Sequence, residues 1–102
     1  MIQHIVLFHW KDGVSSAELD AVDQAVKKLR SQIPELKDLK WGPDLGFREG
    51  NADWGLAAIF EDHAGWHAYQ VHPAHKALVS DVISPITASR TAIQFQIGNA
   101  GQ

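Results

Sequence analysis

No cysteine occurs among the 102 residues of the chain. This excludes disulfide staples, thiolate nucleophiles and zinc–cysteine sites, and it fits a reducing, cytoplasmic setting. No apolar stretch approaches the roughly 20 residues that cross a bilayer. The first ten residues carry no basic leader, long apolar run or small-residue cleavage site, so neither a membrane span nor a signal peptide is expected. Basic residues are few: nine Lys and Arg stand against twelve Asp and Glu, giving a net charge of −3. They form no basic helix or patch, which argues against a nucleic-acid partner. Internal repeats and low-complexity segments are missing as well. What remains, 45% hydrophobic and 21% charged, is the ordinary balance of one globular domain. A chain this short buries only a small core, so pairing with a second copy would add stability.

The prolines punctuate the chain. Before the first of them, residues 2–10 are β-branched and aromatic and read as a strand. His4, Val6, Phe8 and Trp10 share one face; Ile5, Leu7 and His9 share the other. Both faces are largely apolar, so both need cover. Lys11-Asp12-Gly13 is a turn. Ser15 and Glu18 form a capping box that opens a helix to about Gln32, with an apolar stripe of Leu19, Val22, Val26, Leu29 and Ile33. Pro34 stops it. Residues 36–46 read as a second strand with Leu36, Leu39, Trp41 and Leu45 as apolar members; Gly42-Pro43 marks a bulge or an edge position. A polar loop from Arg48 to Asp53 precedes a third strand, 54–60. Asp62 is an N-cap for a short helix through Tyr69. A further helical piece begins at Pro73 and runs to about Ile83, ended by Pro85. Residues 87–97 form the last strand, with Ile93, Phe95 and Ile97 on one face and Gln94 and Gln96 on the other. The tail, 98–102, reads as flexible.

This order predicts an α+β fold of the ferredoxin-like type, β-α-β-β-α-β, with a four-stranded antiparallel sheet and helices on one face. Two copies stacked sheet to sheet would cover the other face and give a two-fold homodimer.

Chemistry concentrates in Tyr69-Gln70-Val71-His72-Pro73-Ala74-His75. A phenol and two imidazoles surround a proline, and imidazoles are the side chains most readily tuned to move protons near neutral pH. Two readings stand side by side for Tyr69 and His75: a reactive pair, or space-filling residues whose polar tips find backbone partners. His72, before Pro73, is expected to be structural, its imidazole hydrogen-bonded to a carbonyl at a helix end. The spacings His72/His75 and His63/His67 suit a metal, but no carboxylate completes a metal motif, so no metal site is assigned. His4 is either a satisfied core histidine or a pocket residue. Trp41, Trp54, Trp66 and Phe60 are either an aromatic wall around a ligand or core packing.

The first strand, Ile33-Pro34, Lys37-Asp38, Trp41-Gly42, the strand ending at Phe60 and the run Tyr69-x-x-His72-Pro73-x-His75 together resemble the stress-responsive A/B barrel (Dabb) family. This is a branch of the dimeric α/β-barrel proteins. The resemblance spans residues 2 to 97 and implies one Dabb domain over 1–97 that forms a homodimer. A polyketide cyclase of that family closes a linear chain by intramolecular aldol condensation without metal or cofactor. By that resemblance Tyr69 and His75 are the catalytic pair, and His4 lines the pocket. Two further polar pocket positions of the cyclase fall at about Val26 and Gly55. Val6, Phe8, Val26, Leu78 and Val79 are then the expected substrate-binding residues. The implied partner is an apolar or polyketide-like small molecule, with no cofactor. The alternatives are a non-catalytic, stress-responsive binding protein and a cofactor-independent monooxygenase.

Overall fold

Alternation of apolar side chains puts β1, Ile2–Trp10, at the centre of the molecule. His4, Val6 and Phe8 are buried on one face, while Leu7 on the other is exposed. The protein is seen here in a computed structural model that describes residues 1–98; residues 99–102 of the expected flexible tail lie outside the described residues. The elements follow as α1 (Ser16–Gln32), β2 (Leu36–Pro43), β3 (Trp54–Phe60), α2 (His63–Val71), α3 (Pro73–Leu78) and β4 (Thr87–Gln96). The strands form one antiparallel sheet in the order β2-β3-β1-β4. This is the ferredoxin-like arrangement expected from the sequence.

The capping box of α1 forms as read. The Glu18 N–H donates to Ser15 Oγ at 3.1 Å, and the Ser15 N–H donates to Glu18 Oε1 at 3.0 Å. Reciprocal capping satisfies donors that a helix start otherwise leaves open. The α1 stripe of Val22, Val26, Leu29 and Ile33 is fully buried; Leu19, at its start, remains partly exposed. Gly13 turns the chain from β1 into α1 at φ +79°, a conformation that side chains with a Cβ resist.

Two strand boundaries differ from expectation. β2 ends at Pro43 rather than at residue 46. Beyond it the Asp44 carboxylate accepts from the Gly46 N–H at 2.9 Å and the Asn51 amide at 3.0 Å, which curls the chain away and leaves Leu45 exposed. Pro43 thus sits at the end of an edge strand, where its missing N–H costs least. The bulge lies elsewhere, between Leu36 and Asp38. It explains how Leu36 and Leu39, three residues apart, are both buried in a structure of period two. β4 ends at Gln96, one residue short of expectation.

The helical piece after Pro73 is also shorter and less regular. α3 gives way to a π-helical turn at Val79–Ile83, then to a single 3-10 turn at Ser84–Ile86 that contains Pro85. The Thr87 hydroxyl donates to the Ile83 carbonyl at 2.7 Å, completing the turn before β4 begins. All helices lie on one side of the sheet. The opposite face presents Leu7, Ile93, Phe95 and Ile97 to the outside. No helix among the described residues is long and apolar enough to cross a membrane.

Candidate functional site

Between the sheet and the segment from α2 to the π-helical turn lies a half-open cleft of about 840 Å³. Its floor is the inner face of β1 and β4. His4, Val6 and Phe8 come from β1, and opposite them in register stand Gln94, Ala92 and Arg90 of β4. Its roof carries Trp66, Tyr69, Gln70, His75, Leu78 and Val79.

The break between α2 and α3 sets the roof. His72 ends α2 in an extended conformation with ψ 133°, as the residue before a proline prefers. Pro73 then opens α3, where a missing N–H is harmless. The Ala74 N–H donates to His72 Nδ1 at 3.0 Å. His72 is therefore structural, but its ring accepts from an amide at a helix start instead of donating to a carbonyl at a helix end. The bend brings Tyr69 and His75 together with ring centroids 4.1 Å apart. The π-helical turn widens the next stretch, as such turns do at many functional sites.

Tyr69 is 2% exposed, and burial pushes its phenol up to about 12. It is a protonated donor at neutral pH. Burial lowers the His75 pKa; the charges of Arg90 and His72 add to this, while the Gln70 backbone carbonyl opposes it. His75 is accordingly a neutral imidazole at pH 7, and its Nδ1 is buried without a hydrogen-bond partner. His4 is lowered to about 4, first by burial, then by the charges of His75 and Arg90. The Gln94 amide N–H donates to His4 Nδ1 at 2.9 Å, which places the proton of the neutral ring on Nε2. The His4 ring lies 6.0 Å from that of Tyr69. His4 is thus both a satisfied buried histidine and a residue of the cleft.

Four of the five expected substrate-binding side chains, Val6, Phe8, Leu78 and Val79, border this cleft together with His4, Tyr69 and His75, and one does not. Val26 is fully buried in the packing between α1 and the rest of the core and lines no part of the cleft. Its place in the stripe of α1 turns it to the dry core, so it is corrected to a core residue. The position matched at Gly55 is likewise on the wrong face. Gly55 pairs with Leu7, and a Cβ there would lie 3.5 Å from the Leu7 side chain on the outer face of the sheet. Of the four aromatics weighed as a wall, only Trp66 borders the cleft. Trp54 packs on Phe8 and Trp10, Phe60 is core, and the Trp41 indole donates to Asp23 at 2.7 Å. Sequence reasoning missed Gln94 and Arg90. The signal was present: Gln94 alternates with the outward Ile93 and Phe95, and Arg90 shares its parity. Among the described residues no group of three or more His, Asp or Glu is disposed to hold a metal ion.

The Stress responsive A/B Barrel Domain family, Dabb, matches residues 2–97. The chain belongs to the Dabb family. Its relatives share the fold and vary in what they do. A dimeric ferredoxin-like protein of unknown function from Thermobifida fusca superposes with a TM-score of 0.88 at 42% identity, over 94% of this chain and 90% of that one. Olivetolic acid cyclase of Cannabis sativa is 28% identical over 78 residues, covering 72% of this chain and 75% of the cyclase. Hydroxynitrile lyase from Passiflora edulis has the same fold, with a TM-score of 0.84 at 22% identity over 95% of this chain and 93% of the lyase.

Proposed function

We propose that this Dabb protein is a homodimeric acid–base enzyme. It would close a polyketide-like carbonyl chain by an intramolecular aldol-type step. The observation that supports this reading is the Tyr69–His75 pair: the rings are 4.1 Å apart on one cleft, and His75 Nδ1 has no protein partner. A buried imidazole without a partner is costly unless something else engages it.

The roles follow from the protonation states. Neutral His75 takes a proton from a carbon flanked by carbonyls. The Tyr69 hydroxyl donates to the developing enolate oxygen. The enolate carbon attacks a second carbonyl of the same chain, and the new alkoxide takes the proton back from the imidazolium. His4, held by Gln94, presents its Nε2–H as an orienting donor. The apolar floor of Val6 and Phe8 and the roof of Leu78 and Val79 would fold the chain for attack, the entropic part of the task.

The dimer reading rests on the outer face. Leu7, Ile93, Phe95 and Ile97 expose a contiguous apolar surface that a second sheet would cover, and the Thermobifida relative is dimeric. The test is turnover of a linear poly-β-keto chain, offered both as the free acid and as a thioester, followed by mass spectrometry, with light scattering on each variant. His75→Ala should lower the rate by about 10²–10⁴-fold and Tyr69→Phe by about 10²–10³-fold, both remaining dimeric. Full activity in His75→Ala removes the chemical assignment, and a monomeric wild type removes the dimer.

A further inference from the structure

The cleft is charged in one direction. The chain as a whole is acidic at −3, yet the side chains bordering the cleft include Lys76 and Arg90 and no Asp or Glu. Among the described residues the ion pairs engage Lys27, Arg30 and Lys40; none engages Lys76 or Arg90. Arg90 stands opposite Phe8 in the sheet, on the same face as Val6 and His4. It therefore projects at the exposed edge of an apolar floor, beside a reactive pair that needs no cation of its own. Arg90 disfavours protonation of both cleft histidines, so its presence works against any anionic ligand held by imidazolium. A guanidinium placed there has one chemical use that suits the surroundings.

We propose that Arg90 is the specificity-determining residue of the cleft and binds the carboxylate of an amphipathic ligand whose apolar chain lies on Val6 and Phe8. Lys76, on the roof, adds a second and weaker positive charge. A planar guanidinium meets a carboxylate through two parallel N–H bonds, a geometry an ammonium cannot offer. A carboxylate is favoured over a phosphate because the start of α3 adds no free amide from Pro73 or Ala74 to the side-chain cations. Pro73 has no N–H, and the Ala74 N–H is already given to His72. This inference rests on the proposed function for the use of the cleft, and it narrows the substrate to chains that end in a free acid.

The test uses octanoate and its neutral isostere octanamide as probes, titrated calorimetrically into the full chain at pH 8. The wild type should bind octanoate about tenfold or more tightly than octanamide. Arg90→Gln should erase that preference while leaving octanamide affinity unchanged, which shows that the cleft is intact. Arg90→Lys should retain part of the preference, and Lys76→Gln most of it. Equal binding of the two probes by the wild type overturns the proposal, as does an undiminished preference in Arg90→Gln or the failure of either probe to bind. His75→Ala separates the two proposals. Whatever it does to overall affinity, it should keep the preference for octanoate over octanamide, so a preference that survives there alongside unchanged turnover sinks the chemistry and spares the anion site.

Discussion

The helix-covered side of the sheet has two halves built on opposite plans. Over β2 and β3 it is closed: Val22, Val26, Leu29, Ile33, Leu36 and Phe60 exclude water. Over β1 and β4 it opens into a cleft of about 840 Å³. The pleat and the register are continuous across both halves. The difference lies in what each strand offers to the helices. β3 turns Trp54, Leu56, Ala58 and Phe60 inward, all buried. β4 turns Arg90, Ala92 and Gln94 inward and stays exposed beyond Thr87. Charged and amide groups at an edge resist a dry cover, and the broken helix above them leaves the space unfilled. Stability is thus concentrated in one half, and the open cleft with its titratable side chains in the other.

Core truncation tests this division most strongly. Phe60→Ala should cost about 3–5 kcal/mol, read as a lower urea midpoint at fixed protein concentration. Val79→Ala, which only enlarges an existing cleft, should cost about 1 kcal/mol or less. Equal losses would abolish the contrast between the halves. Acidification sharpens it from the cleft side. His4 is neutral when folded, with its pKa lowered to about 4, whereas the unfolded chain takes up that proton near 6.5. The unfolded state then binds more protons between those values, so stability falls as pH drops from about 6.5 to about 4, by up to about 3 kcal/mol. His4→Gln should flatten that part of the curve of unfolding free energy against pH; an unaltered slope would place the proton elsewhere. The smallest effect concerns the helix break. His72→Ala removes the acceptor for the Ala74 N–H and should cost about 1 kcal/mol, measured by thermal unfolding, with a larger fractional loss of turnover if the break positions His75.

Much of the fold was legible along the chain. The capping box at Ser15 and Glu18, the stripe on α1 and the apolar faces of β1 each obey a local rule, and each formed. The end of β2 was not legible, because Leu45 continues the apolar pattern and only the Asp44 side chain diverts the backbone. The bulge beyond Leu36 was hidden for a similar reason, since a two-residue period cannot announce where it slips. For the candidate site, Tyr69, His75 and His4 were singled out from their chemistry and from resemblance, and the fold brings all three to one cleft. Val26 was misplaced because a buried helix stripe looks the same whether it faces a cleft or a dry core. Arg90 passed unnoticed because a lone arginine on a strand is ordinarily solvated.

The sequence by itself determined the elements, their order and the chemical types brought to the centre, because capping, periodicity and proline act over a few residues. It also determined that His72 and Pro73 would break the second helix. Only the tertiary structure decided which half of the sheet is sealed and which is open. That choice depends on strand order and register, which put β4 at the edge with Phe8 beside Arg90 and His4 beside Gln94. Residues some 90 positions apart became one site through pairing across the sheet, a long-range contact that no local rule encodes.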